Sequence, residues 1–110
     1  MLYTQTINDI TLYIAFSLWE KTRGIIGRES LVQTGALVLP CCNWVHSFFV
    51  QSSLNLYFFN ADYDVLVLRT TLHPNCVSPF VYKAHHVIES ALNLDNYLHD
   101  IALSLRYRNF

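Results

Sequence analysis

Charge is what this 110-residue sequence has least of. Asp, Glu, Lys and Arg make up 14% of it and hydrophobic residues 53%, whereas an ordinary soluble domain carries about 25% charged residues. Between Glu29 and Asp62 none of the four charged types occurs, although Asn, Gln, Ser and His46 are scattered through the stretch. A segment of that kind forms the middle of a core, with its polar atoms paired inside or facing a pocket. A net charge of −1 leaves no broad positive field for a phosphate backbone, so no nucleic-acid partner is expected. The terminal Arg106-Tyr107-Arg108-Asn109-Phe110 reads as a solvated tail. Every apolar run is interrupted well before the ~18 residues that a membrane span needs, so no span is expected.

Other absences narrow the field further. Residues 1–9 have no basic start, unbroken apolar stretch or small-residue cleavage site, which argues against a secretory signal and for a cytoplasmic protein. Three cysteines cannot all pair within one molecule, and neighbours such as Cys41 and Cys42 bridge each other poorly. Buried free thiols are therefore expected. The sequence has no Gly-rich phosphate loop, nucleophile elbow or dinucleotide fingerprint, and no cofactor is expected.

What is present suits one domain spanning residues 1–110. Ile10, Leu12 and Ile14 alternate as a first strand. Ser17-Leu18-Trp19-Glu20 is a capping-box pattern that opens a helix, with Leu18, Thr22, Ile25 and Ile26 on one face and Gly27 as its close. Strands are then expected over residues 35–39, 45–50, 54–59, 65–72 and 83–89, with a turn at residues 60–64 and a Pro-marked loop at residues 73–79. Ser90 suits the cap of a second short helix carrying Leu92, Leu94 and Leu98, and residues 101–105 alternate as a last strand. The expected fold is mainly β (α+β): a small antiparallel sheet, meandering through hairpins into a barrel-like form, with two short covering helices.

Three segments carry a family likeness. Thr22-Arg23-Gly24-Ile25-Ile26-Gly27-Arg28 resembles an Arg-Gly-Leu-Met-Gly-Arg helix end. Val45-His46-Ser47-Phe48-Phe49-Val50 and Leu54-Asn55-Leu56-Tyr57-Phe58-Phe59-Asn60 are similar to a His-Thr-Phe-x-Met strand and a Pro-Ile-Asp-Val-Val-Phe-Leu-Asp segment. Val87-Ile88-Glu89, followed by His99-Asp100, is similar to a Val-Leu-Glu and Gly-Asp closing pair. Together these resemble domain-of-unknown-function family 192, an uncharacterised bacterial and archaeal family, over residues 15–103. The resemblance implies a compact β-rich fold and no established activity. This chain departs from the pattern: Val50 stands for Met, Ser53 for Pro, and Asn55 and Asn60 for two aspartates, while the glycine after Glu89 is missing. Any carboxylate-dependent activity of the family would have lost those groups here.

Several residues invite chemistry. Arg23 and Arg28 flank the helix end and suit an anionic ligand, or else tie the helix to a loop carbonyl or to Glu89. Cys42 lies four residues before His46, but on an extended strand the two would stand roughly 13 Å apart, too far for proton transfer unless the chain bends at Asn43-Trp44. His46 then reads as a hydrogen-bonded structural histidine. His73, Cys76 and His85 supply donors for a weak metal site, without the paired Cys-x-x-Cys spacing of structural zinc. Trp19, Trp44 and Tyr57-Phe58-Phe59 read as core.

The function expected on these grounds is a non-catalytic binding or assembly accessory module for an unknown protein partner or small ligand, with a homodimer allowed by the low charge. The alternatives are a ligand-binding or enzymatic pocket around Arg23, Cys42, His46 and Asn55, and the metal site at His73, Cys76 and His85.

Overall fold

The computed structural model describes residues 2–17, 21, 29–47 and 50–107. Its first element is a hairpin. Strand β1 (Tyr3–Ile7) pairs antiparallel with β2 (Ile10–Ile14), closing at Ile7 opposite Ile10. Asn8 and Asp9 between them have φ of 50° and 65°, the left-handed pair whose twist matches that of a two-residue hairpin. Asn and Asp tolerate that conformation better than other non-glycine residues. β1 is an addition to the strands expected from sequence, because Thr4, Gln5 and Thr6 give it little apolar content.

The next pairing breaks the antiparallel meander. β2 lies parallel to β3 (Gly35–Pro40), with Thr11 opposite Gly35. Parallel neighbours need a long crossover, which residues 15–34 supply. Within it the Lys21 N–H donates to the Ser17 carbonyl at 3.0 Å, near the expected helix start. Residues 18–20 and 22–28 of the predicted helix, Trp19, Arg23 and Arg28 among them, lie outside the described residues. Helix α1 (Leu31–Thr34) then leads into β3.

The remaining strands are β4 (Leu54–Phe59), β5 (Val65–Leu72) and β6 (His86–Ser90), and the six-stranded order is β1-β2-β3-β6-β4-β5. β6 thus enters between β3 and β4, antiparallel to both. The sheet is mixed and open, with β1 and β5 at its two edges, which corrects the expectation of an antiparallel barrel-like sheet. The β4–β5 turn forms where expected: the Asn60 side-chain oxygen accepts the N–H groups of Asp62 and Asp64, both at 2.9 Å.

Every residue of β3 and of β6 is buried, because both faces of the central strands are covered. That is why residues 35–39 read as a continuous apolar run rather than an alternating one. On one face Ala36, Val38, Tyr57 and Ile88 pack with helix α2 (Leu98–Tyr107) through Leu98, Ile101, Ala102 and Leu105. Those four positions have the i, i+3, i+4, i+7 spacing of an amphipathic helix. This corrects the expected strand at residues 101–105: the period-2 alternation of Ile101, Leu103 and Leu105 shares Ile101 and Leu105 with the helical stripe, while Leu103 is only half-buried. Nor does Ser90 cap this helix. Its hydroxyl donates to the Gly35 carbonyl at 2.6 Å and accepts the Leu92 N–H at 3.0 Å. A 3-10 turn, Asp95–Tyr97, leads into α2. Tyr57 anchors that turn, donating to Asp95 Oδ1 at 3.0 Å and accepting the Leu94 N–H at 2.8 Å.

On the other face Leu37, Leu39, Leu56, Phe58 and Val87 pack with Val45, Val50 and Val32. The described residues within 45–50 do not form the expected strand: His46 alone forms an isolated bridge, to Val77. Side chains replace the ladder. Fully buried Ser47 donates to the His73 carbonyl and accepts the Cys76 N–H at 2.9 Å, and its own N–H donates to the Cys76 carbonyl at 2.8 Å. Ser78 repeats the arrangement, its hydroxyl accepting the Val45 N–H at 2.9 Å and its N–H donating to the Val45 carbonyl at 2.8 Å.

The parallel β2–β3 contact makes a testable demand on Gly35. A Cβ there would overlap the Thr11 carbonyl oxygen, a backbone atom, although the extended backbone at Gly35, with φ of −153°, suits any residue. Gly35→Ala is therefore expected to lower unfolding free energy by about 2–3 kcal/mol through overpacking, read from urea denaturation, while Thr34→Ala at the exposed neighbouring position stays near wild type.

Candidate functional site

The central strands run out together at one end of the sheet, where Pro40 of β3 and Phe59 of β4 both stand opposite His86 of β6. Backbone bonds continue past the strand ends: the Cys42 N–H donates to the His85 carbonyl and the His85 N–H to the Phe59 carbonyl, both at 2.8 Å. Cys41 and His85 are thereby held next to one another on a rigid base. Cys41 Sγ lies 3.6 Å from His85 Nε2, and both side chains are exposed. Cys41 takes a φ of 56°, a left-handed conformation that costs a non-glycine residue about 1 kcal/mol or more. With Cys42, Asn43 and Ala84 the pair lines a depression of about 160 Å³, large enough for a side chain or a small group and well below the size of a metabolite pocket.

Beneath the depression sits His86, 3% exposed. Its Nδ1 accepts the Cys41 N–H at 3.3 Å, and its Nε2 lies 3.3 Å from the Ala61 carbonyl. Together these partners select the neutral tautomer with the proton on Nε2. The ring stacks on Tyr63 at 4.0 Å with an interplanar angle of 3°, and His85 meets it edge-on at 4.8 Å. Burial holds the His86 pKa down at about 4, assisted by the neighbouring His85 and opposed by the Ala61 carbonyl. Tyr63, 2% exposed, has a phenol oxygen with no hydrogen-bond partner. Its pKa is raised by burial and, secondarily, by the charge of Cys41.

The residues singled out from sequence are distributed differently. Cys42 lines the depression, but its thiol donates to the Trp44 carbonyl at 3.2 Å, and burial, with Glu89 adding to it, raises its pKa. His46 sits half-buried at the Val77 bridge. Asn55 Nδ2 donates to the Leu92 carbonyl at 2.9 Å, so this Asn and Asn60 both serve backbone hydrogen bonding. Of Cys42, His46 and Asn55, Cys42 alone lines the depression, and Arg23 and Arg28 lie outside the described residues. His73 Nδ1 is 3.3 Å from Ser53 Oγ, Cys76 Sγ donates to the Pro74 carbonyl at 3.4 Å, and His85 is beside Cys41. Among the described residues no three His, Cys, Asp or Glu side chains gather to hold a metal. All three thiols are free, but Cys41 and Cys76 are exposed and Cys42 intermediate, which corrects the expectation that they are buried. Trp44, expected in the core, is 48% exposed, whereas Tyr57, Phe58 and Phe59 are fully buried.

Sequence reasoning missed the Cys41–His85 pair, 44 residues apart. The only local signal was the placement of each just beyond an apolar strand, before or after the run that buries it.

A second exposed feature lies at the β5 edge. Among the described residues β5 pairs with β4 alone, and two register shifts fall between Leu56 and Phe59. Extra residues on β5 and a φ of 32° at Arg69 break the alternation of the pleat. Val65, Leu66 and Leu68 are left 42%, 39% and 57% exposed.

No family model matches the chain, and neither does any curated protein. Among solved structures it is similar to the crystal structure of a protein of unknown function from Novosphingobium aromaticivorans DSM 12444. The two share a TM-score of 0.61 and 16% identity over 87% of this chain and 76% of that one. The likeness is one of fold. It assigns no chemistry to the depression or to the β5 edge. Among the described residues no helix is long and apolar enough to cross a membrane.

The buried imidazole sets a pH dependence. His86 stays neutral in the fold down to about pH 4, while in the unfolded chain it protonates near pH 6.5. Between those values the unfolded state binds the extra proton, so stability is full above about pH 6.5 and declines as pH falls toward 4. The loss from this group amounts to roughly 2–3 kcal/mol. Urea midpoints from pH 7 to pH 4.5 are expected to fall steeply in wild type and more shallowly in His86→Asn, which starts lower; equal slopes would refute the assignment.

Proposed function

We propose that this protein is a non-catalytic binding module of the cytoplasm, a divergent relative of domain-of-unknown-function family 192, that engages a protein partner through the β5 edge. The observation that carries the reading is the unpartnered edge strand with Val65, Leu66 and Leu68 turned outward together. Open edges with exposed apolar side chains attract partners unless a protein blunts them with charge or proline. Arg69 is the one charge on β5, and it is tied to Asp95 at 3.3 Å. The bulges interrupt a continuous added ladder, so the partner is held mainly by apolar side-chain contact. Either another protein or a second copy fits this chemistry. The kinship is supported by the sequence likeness around Arg23-Gly24, His46 and Glu89, and the cytoplasmic setting by three free cysteines.

The test is native mass spectrometry of tagged protein recovered from its own cells, wild type beside Leu68→Lys. Wild type is expected to carry a second protein chain, a partner or a copy of itself, and the charged variant to lose it by tenfold or more with an unchanged melting temperature. Bare monomer in the wild type, or equal occupancy in both, would remove the β5 edge as the binding surface.

A further inference from the structure

The depression at the ends of β3 and β6 carries an independent chemistry. Cys41 is exposed, it is fixed in a left-handed backbone conformation, and its sulfur is within hydrogen-bonding distance of His85 Nε2, at 3.6 Å. A thiol is a nucleophile only as its thiolate, which an adjacent imidazole supplies by accepting the proton. The other two sulfurs lack that arrangement: Cys42 and Cys76 each bond a backbone carbonyl, Trp44 and Pro74 respectively. The backbone holds the pair in place: the Cys41 N–H donates to His86 Nδ1 at 3.3 Å and the Cys42 N–H to the His85 carbonyl at 2.8 Å, so thiol and imidazole are fixed side by side.

We propose that Cys41, assisted by His85, is a thiol–disulfide exchange site for low-molecular-weight disulfides, which dock one half in the depression formed with Cys42, Asn43 and Ala84. The Cys41 thiol passes its proton to His85 Nε2, and the sulfur attacks one sulfur of the small disulfide. The Cys41–S bond forms as the S–S bond breaks, and the departing thiolate recovers the proton from His85. The small disulfide is the oxidant, one small thiol is released, and Cys41 is left as a mixed disulfide. A depression of about 160 Å³ accommodates the cysteinyl portion of such a reagent while the rest remains in solvent. The site is built on the ends of β3 and β6, and modification there does not require the fold to open.

Glutathione disulfide is the probe, added to the full chain near neutral pH and followed by intact mass and peptide mapping. Cys76, also exposed but with its sulfur bonded to the Pro74 carbonyl, is the internal control. One adduct is expected on Cys41, forming about tenfold faster than on Cys76. His85→Gln, a change at an exposed side chain, is expected to slow Cys41 by about tenfold while Cys76 and the melting temperature stay as in wild type; Cys41→Ser removes the fast adduct. A first adduct on Cys76 or Cys42, or an unchanged Cys41 rate in His85→Gln, would overturn the proposal. Neither outcome bears on the β5 surface, which Leu68→Lys tests separately.

Discussion

Burial of the central strands on both faces is the constraint on which the rest of this fold depends. β3, β6 and β4 place apolar side chains above and below the sheet, and a chain of this length must spend most of its remaining residues covering them. Helix α2 answers for one face with four residues at helical spacing. The other is closed by loop residues whose backbone has no ladder of its own. Ser47 and Ser78 supply the missing partners, so the backbone polar groups brought under cover are satisfied. The same constraint admits no side chain at Gly35, where β3 starts against Thr11 and accepts a hydrogen bond from Ser90.

The chemistry of the molecule gathers where this double burial ends. Beyond Pro40 and before His86 the apolar runs give way, and the first residues outside them, Cys41 and His85, are held by the last hydrogen bonds of the sheet. His86, one position further in, is buried, neutral and stacked on Tyr63. One residue along β6 therefore separates a solvent-facing imidazole from one serving as a fixed acceptor beneath it. His85 lies just before β6, and its exposed ring meets the buried His86 ring edge-on at 4.8 Å across the boundary between core and solvent.

Much of the architecture was legible in the sequence. The strands near residues 10–14, 35–40, 54–59 and 65–72 and the Asn60 turn lie where their residue types predict. The C-terminal element differs from expectation because Ile101, Leu103 and Leu105 satisfy a period of two, while Leu98, which with Ala102 completes the helical stripe, reads as part of the preceding short helix. Residues 45–50 have strand-like composition, but among the described residues there only His46 pairs, at an isolated bridge to Val77, and the Ser47 and Ser78 hydroxyls add the further hydrogen bonds. Of the residues expected to line a pocket, Cys42 bonds the Trp44 carbonyl, His46 sits at the bridge to Val77 and Asn55 bonds the Leu92 carbonyl, contacts that residue type alone does not specify.

By itself the sequence determined composition and period: an interior almost free of charge, short β-rich runs, and polar residues that must find partners inside. Those properties are local, set by side-chain hydrophobicity and backbone preference. Only the tertiary structure decided that β2 and β3 run parallel, that β6 enters between β3 and β4, and that the sheet stays open. It also decided that the histidine beside a thiol is His85 rather than His46. Strand order and register depend on which distant runs bury one another, and that is a property of the packed molecule as a whole.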